Sequence, residues 1–458
     1  MSTGDALDVR TSMMSRRRFL DHAGKTAVTL GSATALGGAI LTACGTAASS
    51  GTTLSLWNFD PAPQAVGIQY QKWIDEYKKV NPKVSFKLQG FASDHDTKLA
   101  AAAKVGQGPD LDQFDPASLY SYYKSGYIVP FPDALFPIDT LKKDYPWLPL
   151  QLLPDGRMYM FPMDVATGII IYDKKAWRAA GLTDNDAPKT WDDCAQLGKH
   201  LTLSTNGVVK QYGFNMGGYP GDWLVLDLYY QLGGYLYTED GNQVNFNNEQ
   251  MIQAIQTYAD FANKYKVGSY QDDPAALMGQ GRNAMFRGWG WGINAAQSAN
   301  PQAEIGAFPL PTYTGKRDGV SGHGVLATMF AVMKSASNER RDAAFQFLQW
   351  LFLKSDPVRH NLELATLDGG VPQYGPSVTL ANAPAVNAMK VVVNNAIYPG
   401  QYPDGVATPL QRAIQQIART HANPADALSA AEQSANKYLA SLGSDFGKLV
   451  TERKKIQP

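Results

Sequence analysis

Cysteine is nearly absent from this chain: of 458 residues only Cys44 and Cys194 carry a thiol. A framework of bridges of the kind that staples small exported domains is therefore excluded, and a large core must supply the stability. An excess of charge of either sign is missing too, with 41 Lys and Arg against 41 Asp and Glu. That balance speaks against a nucleic-acid partner, which calls for a basic surface. The familiar catalytic patterns are also lacking. His95, His200, His323, His360 and His421 are scattered, with no His-Glu-x-x-His and no second cysteine nearby to help hold zinc. There is no Gly-x-Ser-x-Gly elbow. Ser121 to Lys124 and Ser434 to Lys437 match Ser-x-x-Lys without the companion motifs that give it meaning. Gly279 to Ala284 has the letters of a dinucleotide loop, but Trp289 follows where a helix should run. Paired carboxylates, Asp112 with Asp115 or Asp164 with Asp173, leave a secreted carbohydrate-active hydrolase as the rival reading. A non-enzyme without metal or cofactor is the expectation.

The N-terminal residues read as an address and not as part of the fold. Ser15-Arg16-Arg17-Arg18-Phe19-Leu20 resembles a twin-arginine export signal, and Asp21 stands where such signals often carry lysine. Thr26 to Ala43 is uncharged and ends in Leu41-Thr42-Ala43-Cys44, which is similar to a lipobox. Gly31, Gly37, Gly38 and several hydroxyl residues make this stretch too weakly apolar for a good membrane span. The expectation is a signal peptide over residues 1–43, a lipid on Cys44, a tether over 44–51, and a body held outside the cytoplasm at the cell membrane.

Thr53 to Phe59 alternates at period two, and Val66, Tyr70, Trp73, Ile74, Tyr77 and Val80 follow at helical spacing. Val84, Phe86 and Leu88 alternate again, so the chain opens strand, helix, strand. Lys98 to Val105 predicts a helix and Leu111 to Phe114 a short strand ending at Asp115, at the edge where α/β sheets collect ligands. Met158 to Phe161 and Gly168 to Tyr172 read as further strands. Thr190 with Asp193, Asn247 with Gln250, Asn338, and Asn423-Pro424 read as helix starts, and Arg453-Lys454-Lys455 as a solvated tail. Strands alternating with helices over this length mean α/β.

Aromatic residues gather at breaks in the chain: Trp57 and Phe59 at the first strand's end, Tyr219 and Trp223 around Pro220-Gly221-Asp222, and two indoles in Gly288-Trp289-Gly290-Trp291-Gly292. Rings and carboxylates at a loop edge suit a sugar, whose C–H face lies on a ring while its hydroxyls donate to acids. The glycines flanking Trp289 leave its face open, and in an extended segment Trp291 points the other way. Trp73, Trp147 and Trp350 read instead as core.

From Lys98-Leu99-Ala100 through Gly106-Gln107-Gly108-Pro109-Asp110, Met158-Tyr159-Met160-Phe161-Pro162, Ile170-Ile171-Tyr172-Asp173-Lys174, Pro188-Lys189-Thr190-Trp191-Asp192, Asn283 to Trp291 and Gly369-Gly370-Val371-Pro372, the chain resembles the family 1 extracellular solute-binding proteins, the group that includes the maltose-binding proteins. The resemblance implies a type II periplasmic-binding-protein-like fold, with the ligand in a cleft between two α/β lobes, residues 52–166 plus 325–398 and 167–324 plus 399–458. The crossings would fall near Val165 to Gly168, Gly322 to Ala327 and Ile397 to Gln401. It also implies the substrate-binding subunit of an ABC importer, a monomer that captures a carbohydrate and delivers it to the permease. By the same resemblance Phe59, Asp60 and Asp115 would reach the ligand from the first lobe, and Tyr219 or Trp223, Trp289 and Tyr402 from the second. Where the family often has an acidic or aromatic residue after the strand ending at Pro162, Val165-Ala166-Thr167 stands here, so Asp164 is the substitute candidate.

Overall fold

The structure is a computed structural model that describes residues 51–59, 65–91, 94–114, 116–162, 164–216, 222–270, 272–326, 329–368, 370–372, 384–399 and 402–457. Cys44, Asp60, Asp115 and Tyr219 lie outside them.

The first sheet grows from the opening strand–helix–strand unit. β1 (Thr52–Asn58) runs parallel to β2 (Val84–Gly90) and to β3 (Leu111–Phe114), while β12 (Met329–Val332) lies antiparallel between β3 and β4 (Met160–Pro162). Alternation in β1 buries Leu54 and Leu56 on one face, against Tyr70, Trp73 and Tyr77 of the helix Ala65–Val80. Phe161, Phe330, Phe345, Phe347 and Phe352 complete this core. Of the three tryptophans expected inside, Trp73 is buried, and Trp147 and Trp350 are half-buried against the cores.

A second sheet is antiparallel, with β6 (Ile169–Asp173) between β10 (Ile305–Pro309) and β9 (Met285–Gly288). All five residues of β6 are buried, as its unbroken apolar run requires. A third sheet, β13 (Val371–Pro372), β5 (Asp164–Thr167), β11 (Gly322–Leu326) and β14 (Ala396–Ile397), lies on the chain path between the other two. The chain goes from β4 through β5 to β6, and returns from β10 through β11 to β12. The segments expected to cross between lobes thus include β5, β11 and β14, joined side by side. A fourth, exposed hairpin pairs β7 (Leu203–Thr205) with β8 (Val208–Gln211).

Helix starts follow the caps, with two shifts of one residue. Thr190 and Asp193 form a capping box, and the Asn423 side chain accepts from the Asp426 N–H before Pro424. Asn248, not Asn247, caps the helix Glu249–Asn263, because Asn247 spends its N–H on Glu432 while the Asn248 side chain accepts from Met251. Likewise Ser337 caps Asn338–Gln349, and the Asn338 side chain instead receives an Arg341 N–H. The expected solvated tail is a helix, Ser444–Lys454, on which Arg453 is 2% exposed among Tyr235 and Tyr237. Burial lowers that guanidinium's pKa to about 10. The periodicity of Phe446, Leu449, Val450 and Arg453 buries one face, and the basic letters alone concealed it.

Candidate functional site

One cavity, of about 210 Å³, opens beside the second sheet. Its wall includes Phe214, Met216, Trp223, Trp289, Trp291 and Arg287, and its other charged residue is Asp273. β9 delivers Arg287 and Gly288; the backbone at Gly290 then turns helical (φ −55°, ψ −38°) to begin the helix Trp291–Ala299. That turn corrects the expectation for the two indoles. A helical step does not alternate sides as a strand does, so Trp291 stacks on Trp289, centroids 5.3 Å apart and planes at 15°. Nor is the Trp289 ring left open by its glycines. The Arg287 guanidinium carbon sits 4.1 Å from the ring centroid, Trp223 meets it edge-on at 5.5 Å, and Trp289 is only 3% exposed. Trp291 and Trp223 are the half-buried rings on the wall.

Beneath the indoles lies a polar floor. Arg287 donates from Nε to Asp227 Oδ2 at 2.7 Å, and Asp227 Oδ1 accepts the His323 N–H at 2.7 Å. Asp227 belongs to the helix Asp222–Gln231 and His323 to β11, so one carboxylate fastens the second sheet to a crossing strand. Two glycines make room for it. A Cβ at Gly168 would lie 2.7 Å from Arg287 Nη2, and one at Gly322 2.7 Å from Asp227 Oδ1. Burial pushes the Asp227 carboxyl above its usual range, opposed by the charge and hydrogen bond of Arg287. A guanidinium does not give up its proton, and at 2.7 Å it favours the ionised form of Asp227 against that burial. Burial, reinforced by Arg287, drives the His323 pKa well down and leaves a neutral imidazole packed on Trp223 at 4.7 Å.

Tyr402 also stands in this floor and not on the wall. It is 5% exposed, its ring meets Trp223, and its hydroxyl donates to Asp222 Oδ2 at 2.9 Å, where Gln411 also donates at 3.0 Å. Tyr402, expected to reach the ligand, thus does not line this cavity, and its one donor is spent. Burial raises Asp222 to about 6 against these hydrogen bonds. The folded state therefore holds this proton more tightly than the unfolded chain. Its contribution to stability is complete below the ordinary carboxylate pKa of about 4 and is lost as pH rises through 6. Asp222→Asn should abolish this component. Urea titrations at pH 4 and pH 8 should show the wild type losing about 3 kcal/mol more than the variant over that interval, and parallel losses would contradict the assignment.

Two other expected positions lie away from the cavity. Phe59 rests on the ring of His95 at 4.2 Å, at the edge of the first sheet. Burial alone would lower the His95 pKa, but hydrogen bonds to Asp112 and Asp96 outweigh it and raise the value to about 9. Asp164 is 1% exposed in β5 and packs behind Gly370, where a Cβ would come within 2.0 Å of its Oδ2. It is walled in by the β13 pairing and does not line this cavity. The carboxylates weighed for hydrolysis are likewise engaged, Asp112 by His95 and Asp173 as the cap of Lys174–Ala179. Among the described residues no cluster of His, Cys, Asp and Glu is arranged to hold a metal ion, and no helix is long and apolar enough to cross a membrane. Sequence reasoning missed Arg287, Asp227, Asp222 and Trp291. Arg287 was in a recognised block, but its partner lies 60 residues away, with no local signal to join them.

The fold recurs widely. The maltose/maltodextrin-binding domain MalE from Bdellovibrio bacteriovorus, solved with maltotriose, superposes with a TM-score of 0.71 at 18% identity, covering 85% of this chain and all of that one. The Listeria monocytogenes substrate-binding protein Lmo0181, solved with cycloalternan, gives the same TM-score and identity over 85% of this chain and 99% of its own. In sequence, the diacetylchitobiose-binding protein DasA of Streptomyces coelicolor is 25% identical over 313 residues, 66% of this chain and 69% of that protein. The sn-glycerol-3-phosphate-binding periplasmic protein UgpB of Brucella abortus is 24% identical over 270 residues, 54% and 59% of the two lengths. The family model of the bacterial extracellular solute-binding proteins matches residues 72–382, which take in β2, β3, β4 and β12 of the first sheet, β5 and β11, and the whole cavity wall. The match covers more than half of the chain, which therefore belongs to the bacterial extracellular solute-binding proteins.

Proposed function

We propose that this protein is the carbohydrate-capturing subunit of an ABC importer. The observation that carries the reading is the cavity beside β9, where half-buried Trp223 and Trp291 offer indole surface next to Arg287 and Asp273. Stacking surface with a few fixed polar groups suits pyranose rings. DasA, by its name, binds diacetylchitobiose, and the Bdellovibrio and Listeria structures hold maltotriose and cycloalternan; these relatives favour a sugar here too. Capture would bring residues 52–166 with 325–398 onto 167–324 with 399–458. Ligand favours the closed form only by its higher affinity for it. Asp60, Asp115 and Tyr219 remain candidates to complete the site, and no bond of the ligand is broken.

A thermal-shift screen of residues 51–458 against neutral mono- and oligosaccharides tests this. A bound sugar at a hundred times its Kd should stabilise by about 2.7 kcal/mol. Indifference to the whole panel would sink the sugar reading, and release of shorter sugars would favour a hydrolase. The reading extends to a lipid on Cys44 after twin-arginine export, supported by Leu41-Thr42-Ala43-Cys44 and Arg16-Arg17. Cys44→Ser should then move the folded protein from the membrane to the soluble fraction, and continued membrane retention would contradict the anchor.

A further inference from the structure

The named relatives divide between sugar binders and binders of a phosphate ester. Resting on the reading of this cavity as the ligand site, we propose that it takes an uncharged carbohydrate and rejects phosphorylated ligands, with Asp227 as the specificity-determining residue.

Charge accounting around the cavity carries the proposal. A phosphate ester brings one or two negative charges into a site, and burying them needs cations or N–H groups with capacity to spare. Arg287 is the one cation on the wall. Its charge is already matched by Asp227 at 2.7 Å, with the guanidinium at 4.1 Å from the Trp289 centroid and only 6% of the side chain exposed. Of its other two nitrogens, Nη2 is buried and without a partner among the described residues. N–H donors on a guanidinium whose charge is already matched suit neutral hydroxyl oxygens. Around it stand Asp273 on the wall and Asp222 under Trp223, while the exposed Arg419, which faces the wall residue Tyr258, is held off the wall over the Tyr270 ring with a hydrogen bond to the Tyr270 carbonyl. His323 adds no cation, being buried and neutral.

Two other sources of positive potential fail as well. At the N-terminus of Trp291–Ala299, the Gly292 and Ile293 N–H groups are taken by the Trp289 and Gly290 carbonyls. The start of Pro274–Gly279 is capped by Asp273, whose carboxylate accepts from Ala276. Nor does a cation lie in the segments between residues 51 and 457 whose placement is not described. They contain no Lys, Arg or His, and their charged residues, Asp60 and Asp115, are acidic. Arg453, the second buried guanidinium, is not on the wall.

Thermal-shift and calorimetric titration of the wild type and Asp227→Asn with sn-glycerol-3-phosphate, glycerophosphocholine and inorganic phosphate test the inference. The wild type should respond to none of them. Asp227→Asn leaves Arg287 unmatched, and should gain saturable binding of sn-glycerol-3-phosphate with a Kd about tenfold or more below the highest concentration at which the wild type shows no response, the worth of one hydrogen bond to a charged group. Saturable binding of any of the three by the wild type overturns the proposal, and this arm decides alone if the variant does not fold. A folded Asp227→Asn with no gain overturns it too. Failure of the underlying reading shows separately, as a neutral sugar whose affinity is unmoved by Trp291→Ala.

Discussion

Asp227→Ala is expected to destabilise the protein by about 3–5 kcal/mol, the usual cost of leaving half of a buried ion pair behind. The carboxylate is fully buried and serves two partners, Arg287 and the His323 N–H. Its removal strands a guanidinium that cannot shed its charge, and a backbone donor on β11. The loss is local in origin but touches β9, the helix Asp222–Gln231 and a crossing strand together. Replacing both members, Asp227→Leu with Arg287→Met, should recover more than half of it, since the desolvation cost disappears with the charges. Urea denaturation of the single and double variants decides the matter. A single variant within about 1 kcal/mol of wild type, a surface-pair value, would show that the pair contributes no more than an exposed one.

The two neighbouring indoles should separate into a structural and a binding residue. Trp289 is enclosed by Arg287, Trp291 and Trp223, so Trp289→Ala should open a cavity and cost about 3–5 kcal/mol of stability. Trp291 keeps half-buried surface on the cavity wall. If a sugar ring lies against it, Trp291→Ala should cost about 2 kcal/mol of binding, a rise in Kd of roughly thirtyfold. Folding of that variant should change little. Calorimetry with a sugar identified by the screen, together with denaturation curves, reads both effects. Full affinity in Trp291→Ala would remove the ring from the site, and an unchanged midpoint for Trp289→Ala would mean that its enclosure adds nothing.

Much of the fold was legible because its signals are local. Period-two alternation marked β1 and β2, an unbroken apolar run marked β6, and side-chain caps marked helix starts to within a residue. Each depends on contacts within a few positions, where sequence spacing and spatial spacing are nearly the same thing. The family was readable for a related reason: the order of short blocks along the chain survives at low identity, and the family model matches the same stretch.

The site was legible only in composition. Sequence marked Trp223 and Trp289 as unusual, but which ring stays exposed depends on one backbone turn at Gly290 and on a guanidinium laid over the indole. Likewise, nothing near Arg287 announces that its charge is spent on a carboxylate 60 residues earlier, or that Tyr402 gives its hydroxyl to Asp222, 180 residues away. Residue types and local periodicity fixed that this chain builds α/β sheets with aromatic loop edges. Which of those aromatics line the cavity, and with what charges behind them, was decided by long-range pairing in a buried, low-dielectric floor, where the identity of each partner sets whether a charged group is available or already matched.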